Sequence, residues 1–466
     1  MLPETIQARA ACTIARRLKA AGHEALLAGG CVRDLLLGAA PKDYDVATSA
    51  VPEQVMTLFP ESYGVGAHFG VVLVVDAVDG QRVVTEVATF RCDGSYSDGR
   101  RPDSVLYTRS AAEDAARRDF TINGLFLKVE EDGRDLRAAV VDTVGGMADL
   151  DAGRVRAIGD PTMRFAEDHL RLLRGIRFAA RLGFRLEART RTAMQSMAPL
   201  LARVSRERVR EELTRMLTQG AAEEAFRQMA TTGLLEVVLP EVARMRGVEQ
   251  PPEFHPEGDV WEHTLALLGQ LEPECSATLA WGALLHDVGK PATFRRAPDR
   301  IRFDGHVEVG VQIVHAIAER LRFSREERMQ IASLVEQHMR FGDVERMKES
   351  TLKRFFRLER FDEHLALHRM DCLASHGRLD HWEYARQRWH SMPAEAVRPV
   401  RLLTGRDLIA AGCEPGPQFR TVLQEVEDAQ MEHRVTTRDE ALALALERMR
   451  DAGTEDGSST GNRRPA

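Results

Sequence analysis

Residues 29–48 read GGCVRDLLLGAAPKDYDVAT, two adjacent glycines followed by an arginine and, at the end, two aspartates spaced D-x-D. A glycine pair lets backbone N–H groups come close to an anion, because no Cβ stands in the way. A strand is expected around 44–47, and alternate side chains of a strand face one side, so Asp43 and Asp45 should project together. Two carboxylates that close repel each other unless a cation lies between them. Mg²⁺ suits such oxygen ligands and takes part of its shell from substrate phosphates. The stretch therefore reads as a site of metal-assisted phosphoryl or nucleotidyl transfer, with Gly29, Gly30 and Arg33 at the phosphates and Asp43 and Asp45 at Mg²⁺. D-x-D alone is usually a solvated loop; its combination with the glycines, Arg33 and Asp34 carries the signal. Glu86, in TEVATFR on the second strand of an expected hairpin, shares a face with Val84 and Ala88 and would supply a third carboxylate.

The chain has 466 residues, 44% hydrophobic and 29% charged, with a net charge of −7. That composition suits a globular protein of several domains. The negative total argues against a surface that coats nucleic acid throughout, but charge is uneven. Between Arg164 and Arg215 stand thirteen arginines, no lysine and six acids, a local excess of +7. Arginine without lysine favours planar, two-pronged contacts to phosphates or base edges, the alternative being a solvated helix face laced with ion pairs. Six cysteines without C-x-x-C spacing suggest reduced thiols. No signal-peptide block or membrane-length apolar run is present, so the expected location is the cytoplasm.

The pattern changes along the chain. Residues 1–150 alternate helical and strand signals and read as a small mixed-sheet domain. Residues 151–246 become helical, and HLRLLRGIRFAARLGF sets Leu172, Leu173, Ile176, Ala179 and Ala180 on one stripe and Arg171, Arg174, Arg177 and Arg181 on another. GVEQPPEFHP marks a boundary. A second helical block, 247–390, is rich in His and Asp, a helical tail follows over 391–450, and 451–466 is expected to be disordered. The fold class is α+β.

GGCVRDLLLGAAPKDYDVAT resembles the signature of the class II tRNA nucleotidyltransferases, the CCA-adding enzymes, and of the related bacterial poly(A) polymerases. The resemblance continues in order. DGSYSDGRRP resembles their flexible loop (Asp93, Arg100, Arg101), RRDFTIN their ribose-recognition motif, and EDHLRLLR their nucleotide-templating motif. It implies a polymerase-β-like head followed by a helical neck and body, with Arg117 and Arg118 at the triphosphate, Asp119 and Asn123 at the ribose, and Asp168 and Arg171, with Arg174 nearby, at the base. Asp168 and Arg171 lie three apart, and on one helix they would share a face. Cytosine and adenine present an amino donor beside a ring acceptor, whereas uracil and guanine do not, so an Asp–Arg pair can select C and A. The implied partners are CTP, ATP and the acceptor arm of tRNA, with no membrane, in a monomer or homodimer.

His263 in WEHTLALLG, His286 and Asp287 in WGALLHDVGK, and Asp371 in HRMDCLASHG follow the order H…HD…D, which resembles an HD-domain metal site. Such a ligand set takes a divalent ion (Mn, Ni, Mg or Fe) that turns a bound water into a nucleophile. His306 and His338 stand between these residues and are candidate ligands of a second ion or phosphate contacts. Lys290 is a further phosphate candidate. His255, His364, His368, His376 and His381 are expected to be bystanders.

The resulting reading is a template-independent, Mg-dependent nucleotidyltransferase adding CCA to tRNA, with an HD phosphohydrolase module and an arginine-rich RNA cradle. A poly(A) polymerase or an A-adding enzyme of the same family shares the same head. A signalling phosphodiesterase or a plain RNA-binding protein would have no use for Asp43, Asp45, Asp168 and Arg171 together.

Overall fold

The computed structural model describes residues 2–65, 70–94, 104–129, 135–253, 256 and 258–456. Arg100, Arg101, His255 and the side chain of Asp93 lie outside the described residues, and so does 457–466. The chain divides into two compact units. The first comprises Met1–Val248, Leu268–Ala280 and Ala316–Phe323; the second comprises Glu249–Leu267, Trp281–His315 and Ser324–Ala466.

In the first unit, the strands are β1 (Ala25–Ala28), β2 (Asp45–Thr48), β3 (Ser62–Gly64), β4 (Val71–Val78), β5 (Gln81–Thr89), β6 (Arg91–Asp93), β7 (Val105–Tyr107), β8 (Phe126–Lys128) and β9 (Val140–Val141). Seven of them form one sheet in the order β3-β4-β5-β2-β1-β8-β9, and β6 pairs separately with β7. β1 is ALLA, buried along its whole length, because both faces of the sheet are covered. On one face Leu27, Val46, Val72, Val74 and Val87 pack against Ile14 and Leu18 of the helix Ile6–Ala20. On the other, Leu26, Ala28 and Ala47 meet Phe90, Phe126 and the helix Ala111–Ala116. Each such aliphatic side chain taken from water contributes about 1.5–3 kcal/mol.

Two pairings decide where the chemistry sits. β4 and β5 form an antiparallel hairpin closed by Asp79 and Gly80, both at positive φ. β5 then runs parallel to β2, with Val46 opposite Val87 and Ala47 opposite Ala88. Asp45 and Glu86 each precede those partners by one residue, so they lie side by side at the same end of the sheet. The observed β2 starts at Asp45, leaving Asp43 exposed in the turn ahead of it rather than on the strand as expected.

After the sheet the unit is helical, with a short parallel pair between Arg154–Val155 and Arg185–Leu186 that the helical reading did not anticipate. The expected continuous helix through EDHLRLLR is broken. Pro161–Glu167 ends at Asp168, which is extended (φ −145, ψ 106), and Arg171–Leu182 begins three residues later.

In the second unit, helices Arg325–Gln337 and Phe361–Ala374 carry much of the framework. Phe341, Phe355, Phe356 and Phe361 form an aromatic core. The tail segment has its own apolar cluster around Leu408, Val422, Val426 and Ala441. Its last helix, Arg438–Asp456, extends beyond position 451, where disorder was expected to begin.

Candidate active site and metal centre

A cavity of about 520 Å³ in the first unit is lined by Gly29, Gly30, Arg33, Asp45, Glu86, Arg117, Arg118, Asp119, Asn123, Asp168, Arg171 and Arg174. All of these were expected from the sequence. Asp43 does not line it, yet its charge acts on both neighbouring carboxylates.

Gly29 lies at φ +71, and a Cβ there would stand 2.8 Å from Arg118 Nη1. Glycine is thus favoured by the backbone conformation, and the Arg118 guanidinium comes close over it. Its N–H donates to the Leu125 carbonyl at 3.0 Å, which removes it from the set of groups free to meet a phosphate.

Asp45 and Glu86 form an acidic pair. Burial, then the charges of Glu86 and Asp43, push the Asp45 carboxyl up to about 6, against the opposing pull of Arg118. Glu86 is also raised, by burial and by Asp43. Carboxylates raised by burial and by acidic neighbours in this way fit a divalent cation, which would lower the repulsion and supply two positive charges.

The arginines at the rim are held in place. Asp114, fully buried, accepts from Arg117 (Nε 2.9 Å, Nη2 2.6 Å) and from Arg118 (Nε 3.2 Å, Nη2 3.0 Å). Burial would raise its pKa, but the two guanidiniums hold it below the usual carboxylate range. Asp114 was not singled out in the sequence, although its i,i+3 and i,i+4 spacing to Arg117 and Arg118 was there to be read.

A second network crosses the cavity floor. Arg33 donates from Nε to Asp34 Oδ1 and from Nη1 to Asn123 Oδ1, both at 2.7 Å, and Asn123 Nδ2 donates to Asp119 Oδ1 at 3.1 Å. Asp119 Oδ1 also accepts the Phe120 N–H at 2.8 Å, while Oδ2 accepts Arg174 Nε at 2.8 Å and pairs with its Nη2 at 2.7 Å. A carboxylate has about four acceptor positions. Those of Asp119 are taken by Asn123, Arg174 and the Phe120 N–H, so Asp119, which lines the cavity, also fixes its two neighbours there, and Asn123 keeps one amide N–H. Burial would raise the Asp119 pKa, but Arg174, Asn123 and Arg171 bring it down to about 2.

Asp168 and Arg171 reach the same cavity without pairing with each other. Arg171 donates to Glu167, and Asp168 is gripped by Arg208, also on the cavity wall and 40 residues downstream. The expected arginine stripe is likewise engaged at long range: Arg174 with Asp119, Arg177 with Glu212, and Arg181 with Asp34. These guanidiniums brace the site, and only the Arg171–Glu167 pair is an i,i+4 contact within one segment.

In the second unit two groups of ligand-type side chains assemble, His263, His286 and Asp371, and Asp287, His306 and His338. Gly289 makes this possible: a Cβ there would lie 2.0 Å from the His306 carbonyl oxygen, so only glycine lets the turn after Asp287 press onto the helix that starts at His306. His286, His306 and His338 each place Nδ1 2.7–2.9 Å from a backbone carbonyl. A carbonyl only accepts, so Nδ1 donates, and in the neutral ring Nε2 is a bare lone pair.

Those lone pairs converge. His263 Nε2 lies 3.2 Å from His286 Nε2 and 3.1 Å from Asp371 Oδ1. Asp287 lies between the groups, with Oδ2 3.2 Å from His286 Nε2 and Oδ1 3.9 Å from Nε2 of both His306 and His338. His306 Nε2 is buried without a hydrogen-bond partner. The inward Nε2 lone pairs of His286, His306 and His338 fit divalent ions. Burial lowers His338 to about 4, keeping it neutral and able to ligate. Lys290 Nζ lies 2.7 Å from Asp287 Oδ2 and donates to Gln250 Oε1 at 2.6 Å.

These features define a nucleotidyltransferase head joined to an HD module. A profile described as the poly(A) polymerase head domain matches residues 25–156, one for an RNA- and SrmB-binding segment of polymerase A matches 183–245, and one for the HD domain matches 259–374. The CCA-adding enzyme of Levilactobacillus brevis is 31% identical over 427 residues, 91% of this chain and 94% of that protein. That of Geobacillus kaustophilus is 43% identical over 221 residues, 47% of this chain and 52% of that protein. The crystal structure of the Bacillus stearothermophilus CCA-adding enzyme in complex with CTP superposes with a TM-score of 0.72 at 26% identity, covering 97% of this chain and 100% of that one. The chain belongs to the CCA-adding enzyme and poly(A) polymerase family, in a form that carries an HD domain. Among the described residues no helix is long and apolar enough to cross a membrane.

Proposed function

We propose that this chain adds C and A, from CTP and ATP, to the 3′ end of tRNA without a nucleic-acid template. The observation that carries this reading is the meeting, in one cavity, of the Asp45–Glu86 pair with the base-edge groups Asp168 and Arg171. Asp45 and Glu86, with Asp43 nearby, would hold Mg²⁺, which when bound supplies charge neutralisation for the triphosphate and for an incoming 3′-hydroxyl. Arg117 and Arg118, fixed by Asp114, neutralise phosphate oxygens. Asn123 meets the ribose, and Asp168 with Arg171 reads the base edge. Arg185, Arg191 and Arg203, which remain exposed, are available to backbone phosphates of the acceptor arm.

We also propose that the HD site hydrolyses phosphoesters, with its two ligand groups, Asp287 among them, each able to hold a divalent ion. His263, His286 and Asp371 would hold one ion, and His306 and His338 the other.

The test uses tRNA ending before CC, before A, and complete, with CTP and ATP singly and together. Product length separates CCA addition from A-only or poly(A) synthesis. Asp45→Ala should abolish addition and leave phosphoester hydrolysis intact, and His286→Ala should do the reverse. Loss of both activities in either variant would refute two independent sites.

A further inference from the structure

Gln250 lies in GVEQPPEFHP, a stretch that reads in the sequence only as a boundary, ahead of residues 259–374 matched by the HD profile. It is nevertheless 5% exposed. Pro251 restricts the backbone of the residue before it to extended conformations. The Gln250 side chain reaches Lys290, whose Nζ donates to Gln250 Oε1 at 2.6 Å and lies 2.7 Å from Asp287 Oδ2. One ammonium thus joins Gln250 to the carboxylate that lies between the two histidine groups.

The lysine decides which way the amide faces. An ammonium only donates, so the amide oxygen must meet it, and both N–H groups of Nε2 are directed elsewhere. Nε2 is buried and has no hydrogen-bond partner among the described residues. A donor stripped of water and left unpaired is rare in a folded protein, because nothing offsets its lost hydration. On the other flank of Lys290 the Phe303 ring centroid lies 5.3 Å from Nζ, and the Phe303 carbonyl is the group that orients His306. His306 Nε2 is likewise buried and unpaired. The two nitrogens have opposite needs: the imidazole lone pair calls for a cation, whereas the amide calls for an acceptor. A ligand whose oxygens can face a metal ion and a hydrogen-bond donor together meets both.

We infer that Gln250 is a substrate-binding residue of the HD site, whose amide N–H groups donate to a non-bridging phosphoryl oxygen while its carbonyl holds Lys290 alongside. This rests on the phosphoester reading proposed above for that site. A neutral amide suits the position, since it offers a directional donor to an oxyanion and an acceptor to Lys290 from one planar group. A carboxylate of the same shape would keep the lysine and turn a lone pair, in place of the N–H groups, toward the phosphate.

The experiment uses the full chain loaded with Mn²⁺, unaltered and as Gln250→Glu, Gln250→Met and His286→Ala. Binding of inorganic phosphate is measured by equilibrium dialysis, and the part lost in His286→Ala is assigned to the HD site. Hydrolysis of p-nitrophenyl phosphate and of bis(p-nitrophenyl) phosphate is followed in parallel. Gln250→Glu and Gln250→Met should each weaken the HD share of phosphate binding by about tenfold or more, with bound Mn²⁺ per chain unchanged and nucleotide addition within about twofold of the unaltered chain. A residue that merely holds Lys290 would tolerate Gln250→Glu, so phosphate affinity within about twofold of the unaltered chain in that variant overturns the inference. Should Gln250→Glu prove insoluble, Gln250→Met decides by the same measure. An unaltered chain with no phosphate binding assignable to the HD site also overturns it. Phosphate binding that depends on Gln250 without hydrolysis of either ester would instead sink the phosphohydrolase reading and leave the inference standing.

Discussion

Arg177 Nε lies 2.5 Å from Glu212 Oε1 in a fully buried ion pair, which ties the helix that begins with Arg171 to the helix that carries Arg208. Burial lowers the Arg177 pKa, and Glu212 opposes that shift. The helices that carry Arg171 and Arg208 are thus aligned by a pair that does not line the cavity. Removing one partner leaves the other charged and buried, at a cost of about 3–5 kcal/mol. Arg177→Ala and Glu212→Ala should each show this in chemical denaturation, whereas Arg177→Met combined with Glu212→Leu should recover most of it. Single variants losing less than about 1 kcal/mol would mean that the pair is solvated in solution.

Asp45 predicts a pH dependence of the metal-free protein. Its carboxyl titrates at about 6 in the folded chain against an ordinary 3.8. Because the folded pKa of this acid is raised, its contribution favours folding at low pH. That contribution is lost as pH rises from about 4 to about 6, by roughly 3 kcal/mol in all. With chelator present, Asp45→Asn should be more stable than the parent at about pH 8 and equal to it near pH 4. Mg²⁺ should narrow the difference at the higher pH. Parallel stability curves for the two chains across this range would rule out the strained carboxylate.

Asp114 predicts a nucleotide effect without an RNA effect. With both guanidiniums released from their buried anchor, Asp114→Asn should raise KM for CTP and for ATP by about tenfold, while tRNA affinity changes little. Comparable losses for nucleotide and tRNA would point to a folding defect instead.

The parts legible in the sequence are those set by local geometry. The expected pairing of strands brings Glu86 beside Asp45, and the H…HD…H…H…D order named both histidine groups. Asp43 was misplaced by one strand end, because the sheet pairing of Ala28 with Asp45 marks where β2 starts and no residue type signals it. The break at Asp168 was hidden, since neither proline nor glycine interrupts FAEDHLRLL, and the carboxylate is drawn out of helical geometry where Arg208 binds it. The arginine stripe looked like an RNA surface because spacing reveals only near neighbours. Its partners Asp34, Asp119 and Glu212 lie 35 to 147 residues away.

Both residues of the Asp79–Gly80 turn are at positive φ, and the strands it joins pair residue for residue up to Val71 opposite Ala88. Positive φ restricts the tip to glycine, asparagine or aspartate, and the number of residues is fixed as well. Adding or deleting one would shift the second arm by a single position and carry Glu86 through to the opposite surface of the sheet. A length change at an exposed bend would thereby disarm the acidic centre six residues beyond Gly80 while leaving every carboxylate in the chain.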